Sequence, residues 1–536
     1  MTTARPPQVA VPPLSATPPP AQVSPEVATR YGARVLDPVS AMRMPGGGAP
    51  GSTVYVGDRL LVRATPGRAL DDTTRAIDKV TSDFGVRARL VVTPGPGGTK
   101  SLHPAALDVL QRHWVQQVSL HPDEGQPALP VDAWPVLRTV QDRAAETGAP
   151  LALDHLMTSA PAIGGTPYWV GTPYWVGTPY WVGTPYWVGT GSPASEYARP
   201  GGGGRSPVSL VLPDPALRAA KVKRAPVVAV PDTGLGTHPW FPAGGSATSE
   251  VSWAGMRLGL GGPAGGDYTA PPGNPLDPVI GSDTGHGTFI AGLVRQLCPQ
   301  ARILAIPVMG DDGVVPESCL INTLALLLAR HREALENGDP EGLVDVLSLS
   351  LGYYHEQAGD ASMDAPLGAL LRDFGEHGVA VVAAAGNSST LAPMYPAGLA
   401  TPLADVPEDR VPLASVGARN PDGTTVAFFS NDGPWVTTFR AGSNLVSTFP
   451  TDVTASAQAS ARVDYAGRAR TTIDPDDYRG GFATWSGTSF AAPVLAGEIA
   501  AAIAARDDVA AIDRATAVAR GRACMSAVIE EWKETP

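Results

Sequence analysis

From about residue 207 to the end of the chain, short apolar runs alternate with longer segments whose apolar positions recur every three or four residues. The short runs predict buried strands and the longer segments predict helices, a pattern typical of a parallel sheet covered by helices on both faces. The expected fold class is therefore α/β, with the site at the carboxyl ends of the strands. The predicted strands are 227–230, 303–308, 344–349, 379–384 and 413–416, and the predicted helices are 286–297, 317–335, 365–376 and 490–505.

A smaller unit with a different order of elements precedes this domain, between residues 53 and 157. Setting aside one short helix, the order is βαββαβ, which is that of the ferredoxin-like α+β split. Because many unrelated functions share this fold, the order alone indicates no function. The predicted strands are 59–64, 87–92, 115–120 and 151–156, and the predicted helices are 71–84, 104–112 (the short one) and 133–147.

Glycine and proline mark the segments outside these two units, and the 536 residues include 60 Gly and 55 Pro. Residues 1–52 are predicted to be a disordered tail, and residues 158–206 a linker. The linker contains four identical copies of Gly-Thr-Pro-Tyr-Trp-Val, which favours an expanded spacer. The functional alternative is that a Pro-Tyr-Trp-Val strand lies in a peptide-binding cleft of the same chain. The copies begin at Gly165, Gly171, Gly177 and Gly183.

Charge and composition limit the classes of function. The formal net charge of −12 argues against nucleic-acid binding, which needs a basic face. The three cysteines, Cys298, Cys319 and Cys524, are too widely spaced to imply a disulfide framework or a paired-cysteine metal site. The first 30 residues lack the apolar core of a secretory signal, and no stretch is apolar for long enough to cross a membrane. We therefore expect a cytoplasmic protein without membrane association.

Candidate chemistry begins at Ser489, in the stretch Gly-Thr-Ser-Phe-Ala-Ala-Pro (487–493), where a loop turns into the Ala-rich helix. Free backbone N–H groups and the positive end of the helix dipole would lie close to its hydroxyl, which suits a developing oxyanion. The structural alternative is a Thr-Ser pair that caps a core helix. A serine hydroxyl needs a base to become a nucleophile. Whether Ser489 is a nucleophile or part of a helix cap therefore depends on whether the sequence also supplies a base.

Two further polar residues lie beside predicted buried elements. Asp232 follows the strand 227–230, and His286 begins the helix 286–297. Taken singly, Asp232 could be a turn residue and His286 a helix cap. A helix N-terminus favours the neutral imidazole that accepts a proton, and a carboxylate would fix its tautomer. The order Asp, His, Ser therefore predicts nucleophilic catalysis by Ser489.

Three motifs in this order, Asp-Thr-Gly (232–234), Gly-His-Gly-Thr (285–288) and the stretch 487–493, resemble those of the subtilisin-like serine peptidases, or subtilases. The resemblance covers about residues 224–505. It implies that Asp232 orients the base, that His286 acts as general base and then acid, and that Ser489 attacks the scissile carbonyl. It also implies that Asn387, in Ala-Ala-Ala-Gly-Asn (383–387), is the oxyanion-hole asparagine.

The same resemblance implies how substrates and partners bind. Ser350, Leu351 and Gly352 resemble the backbone segment that pairs with a protein or peptide substrate beside the primary pocket. The unit at 53–157 resembles a propeptide that inhibits the enzyme through its last strand and is then cleaved off. No cofactor or metal is expected. Calcium is common in the family, but the short run Asp-Asp-Gly (311–313) is too small to be a ligand motif.

The sequence departs from the family pattern at three places. Pro231 stands where the family has an aliphatic residue, and the missing N–H affects where Asp232 points. The connection from about 158 to 224 is longer than in secreted relatives, which argues against tight self-inhibition. The segment 451–481 is also long and is expected to form a surface loop near the nucleophile.

The favoured hypothesis is a serine endopeptidase that acts through an acyl-enzyme and processes itself at the N-terminal unit or the linker. The alternative is a peptidase-fold protein that binds peptides without cleaving them, because Asp232 is misplaced or the N-terminal half blocks the site. An esterase on the same fold is a third hypothesis.

Overall fold

The structure is a computed structural model of the 536-residue chain. It describes residues 14–43, 48–63, 68–82, 85–91, 102–123, 130–142, 151–159, 197, 203–260, 280–357, 366–455 and 457–533. The four predicted linker repeats at 165–188 lie outside the described residues.

The elements below are numbered in chain order. The helices are α1 (Pro25–Tyr31), α2 (Arg68–Thr81), α3 (Pro104–His113), α4 (Ala133–Asp142), α5 (His286–Leu297), α6 (Glu317–Asn337), α7 (Pro366–Glu376), α8 (Thr488–Ala504) and α9 (Arg514–Lys533). The strands are β1 (Ala33–Leu36), β2 (Thr53–Arg63), β3 (Val86–Val91), β4 (Val115–Pro122), β5 (Leu151–Ser159), β6 (Ser206–Pro207), β7 (Val227–Asp232), β8 (Ala247–Thr248), β9 (Ser252–Trp253), β10 (Met256–Arg257), β11 (Arg302–Pro307), β12 (Val314–Pro316), β13 (Val346–Leu349), β14 (Leu351–Gly352), β15 (Ala380–Ala384), β16 (Leu413–Arg419), β17 (Thr438–Ala441), β18 (Leu445–Thr448), β19 (Arg462–Tyr465), β20 (Arg468–Thr471) and β21 (Phe482–Trp485).

The larger domain is built on a parallel sheet, as the apolar runs predict. Among the described strands its order is β17-β16-β15-β13-β7-β11-β8, and every pairing in it is parallel. Side chains alternate between the two faces, so each face has its own core. Val228 and Val230 pack with α5, α8 and α9, whereas Val227 and Ala229 pack with α6 and α7. The expected α/β fold with helices on both faces is confirmed.

The smaller N-terminal unit is an antiparallel sheet in the order β5-β2-β4-β3, covered by α2 and α4. Helix α3 leaves this core, and its apolar residues Ala106, Val109 and Leu110 pack with α6 of the larger domain. The unit therefore shares apolar surface with the parallel-sheet domain. Its identity as a ferredoxin-like propeptide stays a prediction.

The sheet of the N-terminal unit continues into the larger domain through β5. The last residues of β5 pair antiparallel with β12 on one side, where Met157 is opposite Val315. They pair antiparallel with β14 on the other side, where Ser159 is opposite Leu351. The end of the N-terminal unit thus lies between two segments of the larger domain.

The prediction that residues 1–52 form a disordered tail does not hold for residues 25–36. The Ser24 side chain caps α1, Pro25 occupies its first turn, and Gly32 ends it in the left-handed region. Strand β1 then pairs with β2. The high proline content of this segment favours a prediction of disorder, although Ser24, Pro25 and Gly32 are residues typical of helix ends.

Two other segments refine the sequence-based boundaries. Asp232 is the last residue of β7 and does not follow it. The long segment 451–481 carries an exposed hairpin formed by β19 and β20. Among the helices of the described part of the chain, none has both the length and the apolar character required to cross a membrane.

Candidate active site

Asp232 and His286 lie in direct contact at the carboxyl edge of the parallel sheet. The carboxylate Oδ1 of Asp232, at the end of β7, is 2.8 Å from Nδ1 of His286, the first residue of α5. The Thr233 N–H donates to the same oxygen at 2.8 Å. Both side chains are buried, with 1% and 3% of their surface exposed. A proton on Nδ1 that is donated to Asp232 leaves the lone pair of the ring on Nε2, where a base needs it.

Pro231 does not prevent this contact. It lies within β7 opposite Ile306 of the parallel neighbour β11, whereas the pairing of β7 with β13 is confined to Val228 and Ala229. A proline is tolerated in a strand where no ladder hydrogen bond from its nitrogen is required. The strand therefore continues to Asp232. Pro231 does not turn the Asp232 side chain away from His286, contrary to the effect predicted from the sequence.

Ser489 lies in the first turn of α8, which packs against α5. The ring centroid of its neighbour Phe490 is 5.1 Å from that of His286. Ser489 is 2% exposed, and its hydroxyl donates to the Ser350 carbonyl at 3.5 Å. The capping alternative does not apply, because the cap residue is Gly487 and no side chain caps the helix. The residue after Ser489 thus packs against the ring of His286.

Asn387 follows β15 and faces the start of α8. Its Oδ1 accepts hydrogen bonds from the backbone N–H and the hydroxyl of Thr488, each at 2.8 Å. These two bonds fix the amide plane, so that Nδ2 faces Gly487, where an added Cβ would be 3.3 Å from it. A donor held beside the first turn of α8 suits the oxyanion role implied by the sequence.

The predicted substrate-pairing segment forms strand pairs. Gly352 of β14 is opposite Thr158 of β5, and Leu351 is opposite Ser159. The hydroxyl of Ser350 donates to the Ser489 carbonyl at 2.8 Å, which ties this segment to α8. The segment therefore already pairs with an extended strand, and that strand is the end of the N-terminal unit.

Sequence reasoning placed Arg205 in the linker and missed its contacts. Its guanidinium Nη1 donates to the carbonyls of Gly281, Ser282 and Thr284 at 3.1, 3.3 and 3.0 Å. It also lies over the ring of Trp485, 5.0 Å from the centroid. These carbonyls belong to the turn that leads into α5, so Arg205 holds the backbone just before His286. In the sequence, the one feature that distinguishes Arg205 is its position directly after four glycines.

The other end of the linker contacts the same turn. The Ser159 hydroxyl donates to Oδ1 of Asp283, and the Ser282 hydroxyl donates to Oδ2 at 2.6 Å. The Ser159 N–H donates to the Gly313 carbonyl at 2.8 Å. Ser159 and Arg205, near opposite ends of the connection between the units, therefore both contact the turn 281–284.

An imidazole bonded to a buried carboxylate at the edge of a parallel sheet, packed against a helix with a serine in its first turn, is typical of serine hydrolases. The family model described as "Subtilase family" matches residues 223–527, which is more than half of the chain. The chain belongs to this family.

The chain is similar to several curated proteins and solved structures. Subtilisin BL of Lederbergia lenta is 28% identical over 232 residues, which cover 42% of this chain and 66% of that protein. A subtilase-type proteinase of Saccharomyces cerevisiae is 29% identical over 167 residues, which cover 30% of each chain. The chain therefore spans less than two thirds of the length of these relatives. Fervidolysin from Fervidobacterium pennivorans, described as a keratinolytic enzyme related to subtilisin, is 18% identical with a TM-score of 0.44, over 84% of this chain and 55% of that chain. A cold-adapted subtilisin-like serine proteinase is 22% identical with a TM-score of 0.31, over 53% of this chain and 76% of that chain.

Proposed function

We propose that the chain is a serine endopeptidase in which Asp232, His286 and Ser489 form the catalytic triad. The observation that carries the proposal is the 2.8 Å contact between Asp232 and His286, beside the helix that begins with Thr488 and Ser489. Family membership supports the same activity.

The reaction follows from the chemistry of these groups. Nε2 of His286 removes the hydroxyl proton of Ser489 as Oγ attacks the scissile carbonyl, and Asp232 stabilises the imidazolium that forms. The Nδ2 group of Asn387 donates to the oxyanion. When the C–N bond breaks, His286 gives its proton to the leaving amine. A water molecule then releases the acyl group by the same steps in reverse.

The test compares the full-length chain with its Ser489→Ala variant. Both are incubated, and cleavage is mapped by intact mass and N-terminal sequencing. We expect the parent alone to be cut between about residues 157 and 224. A fluorophosphonate probe should label the parent at Ser489, because labelling needs an assembled base. No cleavage and no labelling in the parent, with or without added peptides and also after the linker has been cut by an unrelated protease, would contradict the proposal.

We infer further that the N-terminal unit is an intramolecular inhibitor. Support comes from β5, whose end pairs with Leu351 and Gly352, the residues expected to bind a substrate strand. Met157 and Leu156 also pair with Val315 and Pro316 of β12. A strand held on both edges by backbone hydrogen bonds excludes a substrate strand from the same place.

The inhibition is tested by cutting the linker without relying on self-cleavage. A recognition site for an unrelated protease is inserted between residues 165 and 188, and peptidase activity is followed before and after its cleavage. We expect activity to rise after the cut and to rise further on dilution, since the unit then binds as a separate molecule. Equal activity before and after would contradict the inhibitory role.

The second candidate function is a peptide-binding protein that does not cleave. The observation in its favour is the same pairing of β5, because a permanently held strand would keep the site closed. The fluorophosphonate probe separates the two functions after the linker is cut. Labelling then supports a peptidase, and its absence supports a binding protein.

A further inference from the structure

A buried cluster of two histidines and two glutamates joins the N-terminal unit to the larger domain. We call it the interface cluster: His155 of β5, Glu317 at the start of α6, and His355 and Glu356 after β14. Nδ1 of His155 is 2.7 Å from Oε2 of Glu317, and Nε2 is 2.7 Å from Oε2 of Glu356. The His155, Glu317 and Glu356 side chains are between 2% and 6% exposed. None of the four residues belongs to the proposed triad or its oxyanion site.

We propose that the interface cluster is a zinc site that bridges the two units. The ligands are Nε2 of His155, the carboxylate of Glu356 and the imidazole of His355. Two nitrogen ligands and one carboxylate suit zinc, whereas calcium and magnesium prefer sites made of oxygen atoms alone. Nε2 of His155 and Oε2 of Glu356 each carry a lone pair when His155 is protonated on Nδ1. At 2.7 Å a proton lies between these two atoms in the metal-free protein, and Zn²⁺, the cation that this ligand set selects, would displace that proton on binding.

Glu317 fits the role of the carboxylate behind a metal-bound histidine. Its contact with Nδ1 of His155 fixes the tautomer that leaves Nε2 as the ligand atom, the arrangement that zinc-binding histidines adopt. The ring of Tyr353 stacks on His155, with centroids 4.3 Å apart and planes 22° apart. The orientation of the His155 ring is therefore set by its surroundings before any ion binds.

The spacing of the three ligand residues suits tetrahedral zinc. Ligand atoms bound at 2.0–2.1 Å in a tetrahedron lie about 3.3 Å from one another. The His155 Nε2 to Glu356 Oε2 distance is 2.7 Å, and the His355 Nδ1 to Glu356 Oε2 distance is 3.8 Å. These two distances each have to change by about half an ångström, and all three candidate ligand atoms lie within 4.8 Å of one another. Coordination through Nδ1 of His355 replaces the hydrogen bond that it accepts from the Gln357 N–H at 2.9 Å.

An ion can reach the cluster from solvent. The His355 side chain is 16% exposed, and a water molecule would supply the fourth ligand on this side. Because His155 comes from β5 and the other ligands from the larger domain, bound zinc would hold β5 in place. This consequence for inhibition rests on the proposed function, whereas zinc binding itself does not.

The experiment uses the full-length Ser489→Ala chain, which stays uncut whatever the activity of the parent. The protein is dialysed against EDTA and then titrated with zinc chloride in a calorimeter, and bound metal is counted by mass spectrometry. We expect one zinc ion per chain and a higher Tm with zinc. His155→Ala should abolish binding, and Glu317→Gln should weaken it by about 10- to 100-fold.

Two further variants make the result decisive. His355→Ala leaves the His155 contacts to both glutamates intact, so we expect a folded chain whose zinc affinity is at least about 10-fold lower. His121→Ala is the matched control, because His121 is an exposed histidine at the end of β4 in the same unit, and it should bind zinc like the parent. Absence of zinc binding in the parent, or unchanged binding in both His155→Ala and His355→Ala, would overturn the site. Because no readout depends on turnover, failure of the peptidase proposal leaves this test intact.

Discussion

Oδ1 of Asp232 lies 2.8 Å from Nδ1 of His286, although the two residues are 54 positions apart in the sequence. The contact forms because the carboxyl end of β7 and the N-terminus of α5 meet at one edge of the sheet. A carboxylate at this distance fixes the histidine tautomer and stabilises the imidazolium during proton transfer.

We therefore expect Asp232→Asn to lower kcat by about 10⁴-fold, because an amide no longer accepts the Nδ1 proton in the same way. The change keeps the size of the side chain, so the Tm should move little. Hydrolysis of a chromogenic peptide measures kcat. Asp312→Asn is the control, since Asp312 pairs with Arg30. Equal kcat values for Asp232→Asn and the parent would contradict the role of Asp232.

Asn387→Ala tests the oxyanion role. Removal of one oxyanion donor costs about 10²–10³-fold in kcat and acts on the transition state, so KM should change much less. The variant also loses the two hydrogen bonds from Thr488, so its Tm is measured alongside. Asn337→Ala, at the exposed end of α6, is the control. A raised KM with unchanged kcat would assign Asn387 to substrate binding.

Arg205 is expected to act as a positioning residue for His286. Arg205→Lys keeps the charge but loses the planar guanidinium whose Nη1 donates to three carbonyls of the turn 281–284, and misplacement of a catalytic group by about 1 Å can cost 10²-fold. We expect kcat to fall by between about 10- and 100-fold, with a changed pH profile of kcat. Arg218→Lys, at an exposed arginine that donates to the Gln296 carbonyl, should be neutral.

The same contacts restrict where activation can cut the chain. Cleavage on the N-terminal side of residue 203 keeps Arg205 on the larger domain, and the product should be active. A chain that begins after Arg205 should have a kcat equal to or lower than that of Arg205→Lys. Full activity in that shorter chain would rule out the positioning role.

Stability should fall in mild acid because of His331. Its Nδ1 accepts from the Val344 N–H at 3.0 Å, and its Nε2–H donates to the His377 carbonyl at 3.0 Å, so the ring is neutral. Burial lowers the pKa of His331 to about 4, against about 6.5 in an unfolded chain. A lowered histidine pKa means that the unfolded chain takes up the proton first. The free energy of unfolding is therefore unaffected above pH 6.5 and falls, by up to about 3 kcal/mol, as the pH drops towards 4.

Urea unfolding of the Ser489→Ala chain between pH 7 and pH 4 measures this effect. Burial also lowers the pKa of His238 to about 4, so the parent should lose stability through both histidines. His331→Gln removes one of them and should give a shallower slope of stability against pH, at a lower stability at pH 7. An identical slope in both chains would show that His331 does not titrate in this range.

Features that depend on residues close together in the sequence can be predicted from the sequence, and contacts between distant residues cannot. The start of α5 at His286 and the end at Leu297 are predicted to the residue, because glycine precedes an apolar stripe of helical period. The triad candidates are found because each lies in a short motif. Arg205 and His155 are missed for the opposite reason. In the interface cluster, His155 contacts glutamates that lie 162 and 201 positions later in the sequence. Arg205 contacts a turn that lies 76 or more positions later. No short sequence pattern can therefore predict either set of contacts.

The last prediction concerns the close approach of α5 to the turn after β7. An added Cβ on Gly287 would lie 2.3 Å from the Gly234 carbonyl oxygen, and the Gly287 N–H donates to the Thr233 hydroxyl at 2.9 Å. Because backbone atoms oppose the new methyl group, Gly287→Ala must push α5 away from the turn that follows Asp232. We expect kcat to fall by about 10²-fold or more, since displacement by 1 Å is enough for such a loss, together with a lower Tm. Gly48→Ala is the control, because nothing lies within 4 Å of its added Cβ. Parent-like kcat in Gly287→Ala would mean that catalysis does not depend on the packing of α5 against this turn.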